Sequence, residues 1–246
     1  SRGGLPMAGG EGEQESAYFL SANRGKRSLR LDLKSPEGAQ RLRELAARAD
    51  VLVENYRPGL LDRLGLGLDG LREANPRLVT LSITGFGTSG PDGHRPGFDQ
   101  IVQAEAGLMS LVGEPDGEPT RVGLPIADLL AGMFGAYGVS LALRERDRTG
   151  RGAHVTTSLL ETAVAWMAYH VQGHLATGEV PGRTGSGLGM IAPYEAFPAA
   201  DGHVMIAAGN DGLFRRLCAA LRLDALADDD RFTTNAGRVA HREELS

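Results

Sequence analysis

Strand-like and helix-like segments alternate through the early part of the chain, and this order constrains the fold more than any other feature. Residues 27–33 alternate apolar and polar side chains, residues 50–55 form a short apolar run, and residues 78–84 give the clearest strand signal. Between the first two, Ser35-Pro36 is a typical helix start, because serine caps a first turn and proline fits its first position. Strand, helix and strand joined by short links indicate a parallel sheet covered by helices. We therefore predict an α/β fold with an open, mainly parallel Rossmann-like sheet and helices on both faces.

A change in composition divides the chain. Residues 177–189 are rich in glycine and polar side chains, and a new strand signal begins near Tyr194. We predict that residues 1–176 are part of the large domain, that residues 177–189 are a glycine-rich linker, and that residues 190–246 form a smaller, incomplete α/β domain.

Charge and cysteine content narrow the function classes. The net charge of −5, with no concentration of Lys and Arg, argues against a dedicated nucleic-acid binder. The single cysteine, Cys218, excludes a disulfide framework within the chain and is predicted to be a buried thiol. His170 and His174 have helical spacing but no evident third ligand, so we predict a structural pair and no metal site. No apolar run approaches the roughly 18 residues of a membrane span, and we expect a cytoplasmic protein.

A glycine pattern that resembles a nucleotide-binding fingerprint follows the strand at 78–84. Residues 85–90 read GFGTSG, which fits G-x-G-x-x-G. The fingerprint also requires a helix that opens on those glycines, and residues 91–97 contain two prolines and two glycines. We therefore predict a structural loop.

Asp128 is the one carboxylate in an otherwise apolar helix entry, residues 122–132. A lone acid in such a place is either a helix N-terminal cap or a functional group, and the residues alone leave both open. At a helix N-terminus the dipole is expected to keep the carboxylate ionised and nucleophilic. On the same predicted helix glycine recurs at 132, 135 and 138, a stripe that lets another backbone approach closely.

Eight motifs run through the chain in a fixed order. They are NRGKRS from Asn23, ADVLVENYRPG from Ala49, GFGTSGP from Gly85, RPGFDQ from Arg95, GLPIADLLAG from Gly123, RTGRGAHV from Arg148, IAPYEAFPAADG from Ile191 and DDDRFTTNAGRVAHREEL from Asp228. With these motifs the sequence resembles the family III CoA-transferases, of the CaiB/BaiF and formyl-CoA transferase type. It lacks that family's opening segment and is shorter, so we expect a partial chain.

The resemblance implies a covalent transfer reaction with coenzyme A as substrate and no metal. Asp128 matches the family nucleophile, which forms an aspartyl anhydride and then an aspartyl-CoA thioester as coenzyme A passes from an acyl-CoA to a carboxylic acid. CoA contacts are implied at Asn23, Arg24, Gly25, Lys26, Asn55, Tyr56, Arg57 and Arg63. An acyl and oxyanion loop is implied at Phe98, Gly185, Gly187 and Gly189. Arginine and lysine suit the phosphates, although Arg57 and Arg63 can also be read as solvated helix charges, and the glycines as a hinge.

Two other functions stay open. Racemases of the same family pair the aspartate with a histidine about thirty residues earlier, where this chain has Phe98, which cannot carry a proton. A non-catalytic CoA-binding protein would use Asp128 only as a cap. The resemblance also implies an interlocked homodimer, with acyl-CoA and carboxylic acid as further partners and neither nucleic acid nor a membrane.

Overall fold

The computed structural model describes residues 7–8 and 15–245. Its strands are β1 (Met7–Ala8), β2 (Glu15–Ser16), β3 (Val51–Glu54), β4 (Val79–Thr84), β5 (His154–Ser158), β6 (Tyr194–Ala199) and β7 (Gly202–Ala207). Its α-helices are α1 (Ala17–Asn23), α2 (Pro36–Ala46), α3 (Leu60–Arg63), α4 (Leu68–Ala74), α5 (Asp99–Glu105), α6 (Ile126–Thr149), α7 (Leu159–Trp166), α8 (Ala168–Thr177), α9 (Asp211–Leu221), α10 (Asp224–Ala227), α11 (Asn235–Ala240) and α12 (Arg242–Leu245).

A parallel sheet in the order β3-β4-β5 is the centre of the larger unit. Leu81 of β4 pairs with Val155 of β5 and faces α6, whereas Leu52 of β3 points to the opposite face and packs with Leu71 of α4. Helices therefore cover both faces, and the predicted α/β fold with a parallel sheet is confirmed.

The strand predicted at residues 27–33 is wrong. The segment has no regular structure, and the Leu29 side chain is 67% exposed. Alternation of apolar side chains suits a strand, but a strand forms only where a neighbour completes the hydrogen-bond ladder. Among the described residues, none pairs with this segment.

The glycine stripe of α6 serves the chain's own sheet rather than a second helix. A Cβ on Gly135 would lie 2.8 Å from Leu81 Cδ2, and one on Gly138 would lie 2.8 Å from Val155 Cγ1. Gly132 alone has no atom of the described residues within 4 Å of such a Cβ. Two of the three glycines therefore let the helix approach β4 and β5.

By length and composition, α6 could also cross a membrane, which the sequence analysis missed. Its apolar character is spread among alanine and glycine, so that no single run of large apolar side chains marks it. The contacts of Gly135 and Gly138 place one side of the helix against the sheet.

The smaller unit consists of the antiparallel hairpin β6–β7 and helices α9 to α12. Its core contains Ala208, Phe214, Cys218 and Phe232. Cys218 is a buried free thiol, as predicted, and burial raises its pKa. Between Thr177, where α8 ends, and Tyr194 the chain forms turns and loop, but the division into domains stays a prediction.

Candidate active site

A cleft of about 450 Å³ lies where the three parallel strands end. Its walls come from residues 55–58 after β3, from Gly85 after β4 and from Leu159 after β5, with Asp128 on the first turn of α6. The carboxyl ends of parallel strands are the usual position of a ligand site in an open α/β sheet. The remaining lining residues are Tyr18, Ile83, Thr84, Arg95, Pro96, Gly97 and Phe98.

Asp128 does not cap its helix. Pro125 is the N-cap residue of α6, and no side-chain capping bond forms there. Within residues 7–8 and 15–245, no hydrogen bond or ion pair reaches the Asp128 carboxylate. The interpretation of Asp128 as a cap therefore fails, and a carboxylate without a structural role opens on the cleft.

The environment of Asp128 opposes its ionisation. Burial raises the pKa of this carboxyl, and the charge of nearby Asp99 raises it further. The helix dipole favours the ionised form, whereas desolvation and the like charge of Asp99 oppose it and raise this pKa. A desolvated carboxylate without partners is a stronger nucleophile than a solvated one once it is ionised.

Gln103 holds Asp99 in this position. The buried amide donates from Nε2 to Asp99 Oδ1 at 2.7 Å, and its Oε1 accepts the Val122 N–H at 2.9 Å. One side chain thereby joins α5 to the segment that leads into α6. Sequence reasoning missed both residues, although Asp99 belongs to the RPGFDQ motif.

Arg95 is a third residue that sequence reasoning did not single out. Its guanidinium lies 4.3 Å from the centre of the Phe86 ring and donates to Asp92 and, from Nη1 at 2.9 Å, to Glu105 Oε2. These contacts fix a cation at the rim of the cleft. The RPGFDQ motif, which begins at Arg95, was the sequence signal that could have identified this residue.

The GFGTSG segment is a loop with no helix after it, as predicted. A Cβ on Gly85 would lie 2.4 Å from Gly97 Cα, so both positions require glycine for the two backbones to touch. Through this contact the chain lies beside the cleft again at Pro96 to Phe98. Phe98 forms part of the cleft wall and is 73% exposed. Phe98, where the resemblance would place a histidine in a racemase, has no titratable side chain.

Six of the eight predicted CoA-binding residues line one of two neighbouring places. Asn55, Tyr56 and Arg57 line the Asp128 cleft. Asn23, Arg24 and Lys26 line a separate groove of about 870 Å³ with Arg27 and Arg30.

Helix α1 connects the groove with the cleft, because Tyr18 on α1 lines the cleft. Asn23 Nδ2 and Lys26 Nζ donate to carbonyl oxygens of that helix, and Gly25 turns the chain with φ +73°. Arg63 lines neither place, and its guanidinium lies beside Gly59.

The glycine-rich loop is not brought to Asp128 in the described chain. Gly185, Gly187 and Gly189 line another cavity of about 660 Å³, together with His170 and His174. His174 Nδ1 lies 3.0 Å from the Glu179 carbonyl oxygen. The described residues contain no group of His, Cys, Asp and Glu able to hold a metal ion.

Comparison with known proteins gives one consistent result. Residues 2–246 match the model of CoA-transferase family III. The chain is 44% identical over 236 residues to a succinate–glutarate CoA-transferase of Agrobacterium fabrum, covering 96% of this chain and 59% of the relative. It is 42% identical over 232 residues to an acetyl-CoA:oxalate CoA-transferase of Acetobacter aceti, covering 94% of this chain and 60% of the relative.

A solved structure of a CaiB/BaiF family protein is also similar to this chain. The crystal structure of a CaiB/BaiF family protein from Brucella suis superposes with a TM-score of 0.85 at 42% identity, over 98% of this chain and 64% of that one. The chain thus spans about 60% of the length of these relatives.

Proposed function

The chain belongs to CoA-transferase family III, and from this premise we propose that it carries the nucleophile and part of the CoA site of an enzyme that transfers coenzyme A from an acyl-CoA to a carboxylic acid. The observation that carries the proposal is the Asp128 carboxylate, which has no partner among the described residues and lies in a cleft with Asn55, Tyr56 and Arg57. A carboxylate can act both as nucleophile and as temporary thioester carrier.

The donor half-reaction begins at Asp128. One carboxylate oxygen attacks the acyl-CoA carbonyl carbon, the carbon–sulfur bond breaks, and the CoA thiolate departs. The product on the enzyme is a mixed anhydride of Asp128 and the acyl group. The thiolate then attacks the aspartyl carbonyl, which releases the donor acid as its carboxylate and leaves an aspartyl-CoA thioester.

The acceptor half-reaction reverses these steps. The carboxylate of the incoming acid attacks the aspartyl carbonyl, and the thiolate leaves again. The thiolate then attacks the acceptor carbonyl of the new anhydride, so that the acyl-CoA product forms and the Asp128 carboxylate is restored. No oxidant, metal or net proton is required.

The basic side chains near the cleft suit the phosphates of coenzyme A. Arg57 lies in the cleft itself, and Arg24 and Lys26 lie in the adjoining groove. Arginine and lysine bind phosphate through charge-assisted hydrogen bonds. We assign the reactive thioester of the acyl-CoA to the part of the cleft beside Asp128. We assign its phosphates to the region that contains Arg57, Arg24 and Lys26.

Short dicarboxylic acids are the proposed acid substrates. One of the two relatives above is named for succinate and glutarate and the other for acetyl-CoA and oxalate, and three of these four acids carry two carboxylates. Succinyl-CoA with glutarate or oxalate is therefore the first donor and acceptor set to assay.

The test uses the full-length protein and mass spectrometry. Incubation with succinyl-CoA and rapid acid quenching should leave CoA attached to the peptide that contains Asp128. Asp128→Asn, which keeps the shape of the side chain, should show neither adduct nor transfer. Hydroxylamine should inactivate the wild type only in the presence of acyl-CoA, because it captures the activated aspartyl ester.

Other outcomes separate the alternatives. Deuterium exchange at the α-carbon of a 2-methylacyl-CoA without adduct would indicate a racemase. CoA binding without either reaction would indicate a non-catalytic binding protein. Near-normal transfer by purified Asp128→Asn would end the covalent interpretation.

A further inference from the structure

The loop that precedes β6 is held by an arginine from the last helix. Arg242 Nη2 donates to the carbonyl oxygens of Leu188 at 2.9 Å, Gly189 at 3.2 Å and Ile191 at 2.7 Å. Its Nη1 pairs with Glu195 Oε1 at 3.1 Å, which orients the guanidinium. A planar guanidinium offers several donors in one fixed geometry, whereas lysine offers a single ammonium.

Two further side chains donate hydrogen bonds to the remaining carbonyl oxygens of the same segment. Asn235 Nδ2 donates to Met190 O at 2.9 Å, and Arg238 Nε donates to Ala192 O at 2.7 Å. All five carbonyl oxygens of residues 188–192 therefore accept from side chains of α11 and α12.

This arrangement determines where the amides of the loop point. In a planar trans peptide the N–H is directed opposite to the C=O. Because the Leu188 and Gly189 carbonyls face Arg242, the N–H groups of Gly189 and Met190 point away from it. Within the described residues neither N–H has an acceptor, and both residues line the 660 Å³ cavity of the glycine-rich loop.

The other end of the loop is fixed independently. Arg183 Nε donates to Glu114 O at 3.0 Å, and the Gly185 N–H donates to Gly113 O at 3.0 Å. With both ends fixed, the loss of Arg242 is expected to release only the segment it binds. Arg238 is unsuitable for a test, because it is fully buried against Phe214 and Asp211 in the core of the smaller unit.

We propose that Arg242 is a positioning residue for the carboxylic acid substrate. By holding the carbonyls of Leu188, Gly189 and Ile191, it keeps the N–H groups of Gly189 and Met190 directed at the cavity, where they donate to a carboxylate oxygen of the acid. Paired backbone N–H groups of this kind make an anion-binding concavity. The inference rests on the proposed function, since it assigns the acid of that reaction to this loop.

The experiment compares Arg242→Met with Arg231→Met in the full-length protein. Arg231 is the matched control, because it forms ion pairs with Asp229 and with Glu244 of α12, while within the described residues no hydrogen bond or ion pair joins it to the loop. Arg242→Met should raise the KM for the acceptor acid about 10–100-fold, the size expected when hydrogen bonds to a charged group are lost. The KM for acyl-CoA should stay within about twofold, and Arg231→Met should change neither constant.

Two further readouts separate positioning from general damage. Hydrogen exchange of the amides in residues 186–191 should become faster in Arg242→Met and not in Arg231→Met. Millimolar guanidinium should partly restore the acid KM of Arg242→Met, whereas it would only weaken a protein that is generally destabilised. If Arg242→Met fails to fold, Arg242→Lys replaces it and should show a smaller change in the same direction.

The proposal would be overturned if Arg242→Met left both the KM for the acceptor acid and the hydrogen exchange of the loop amides unchanged. An equal rise in the KM for the acid and in the KM for acyl-CoA would also overturn it. The two proposals fail separately. Absence of an aspartyl-CoA adduct in the wild type ends the covalent function, whereas an Arg242 variant that binds the acid normally ends only the role of Arg242.

Discussion

The chemistry of a single carboxyl group, Asp128, sets the pH range of the proposed reaction. Burial, and to a smaller extent Asp99, raise the pKa of Asp128 above the ordinary value of 3.8. The nucleophilic form is lost as pH falls through this raised pKa, so transferase activity should decline at a higher pH than for an exposed aspartate.

Asp99→Asn should move this decline toward lower pH, because it removes one of the two causes. The shift should be partial, since burial remains. Profiles of kcat/KM against pH check the prediction, with Asp69→Asn on α4 as the control, because the Asp69 side chain is 95% exposed. An unchanged profile in Asp99→Asn would show that Asp99 does not act on Asp128.

The same carboxyl group should weaken the folded state. A carboxyl whose pKa is raised by folding gives up stability as pH rises through the unfolded and then the folded pKa. At neutral pH, the Tm of Asp128→Asn should therefore equal or exceed that of the wild type. The difference between the two Tm values should vanish near pH 3. Thermal unfolding of both proteins across pH tests this, and a lower Tm for Asp128→Asn at pH 7 would contradict it.

At the scale of elements, the contact of α6 with the sheet depends on glycine. Gly135→Ala puts a methyl group 2.8 Å from buried Leu81 Cδ2 and should cost about 1–3 kcal/mol through overpacking. Gly70→Ala on α4 is the matched control: its Cβ meets no described atom within 4 Å, so it should stabilise by up to about 1 kcal/mol. Urea denaturation measures both changes, and equal effects would refute the close packing.

Sequence patterns predicted those elements whose signals are local. Strand β4 was found because its side chains are nearly all buried, and α2 because Ser35 accepts a hydrogen bond from the Gly38 N–H as an N-cap. The break between α7 and α8 at Met167 could not be found, since no glycine or proline marks it. The strand at 27–33 was wrong because pairing depends on a partner and not on the segment itself.

The candidate site was predictable to a similar degree. Asn55, Tyr56, Arg57 and Phe98 reach the cleft of Asp128 because strand ends and the returning loop converge there. Gln103 and Arg242 were not predictable, because their importance comes from contacts with distant segments that no spacing encodes.

The molecule as a whole exposes an apolar face on α6. Leu129, Met133 and Tyr137, at helical spacing, are each 47–65% exposed. Contiguous apolar surface of this kind marks an interaction site, and the predicted homodimer supplies an occupant. Gly132 lies on the same helix with open space around it.

Gly132→Leu should therefore weaken the dimer by at least about tenfold while leaving each folded chain intact, because no atom of the described residues lies within 4 Å of a Cβ at this position. Light scattering and sedimentation of the full-length protein check this, with Gly70→Leu on α4 as the control. A monomeric wild type, or an undisturbed Gly132→Leu dimer, would contradict the prediction.

The parallel order of the central sheet has a consequence during synthesis on the ribosome. Thr80 of β4 and His154 of β5 are hydrogen-bonded neighbours separated by 74 residues of chain. At about 5–20 residues per second, a nascent chain needs roughly 4–15 s to cover that distance. Throughout this interval the edge of β4 that later receives β5 presents unpaired N–H and C=O groups to other chains. Slow codons between the β4 and β5 coding regions lengthen this exposure, and fast ones shorten it.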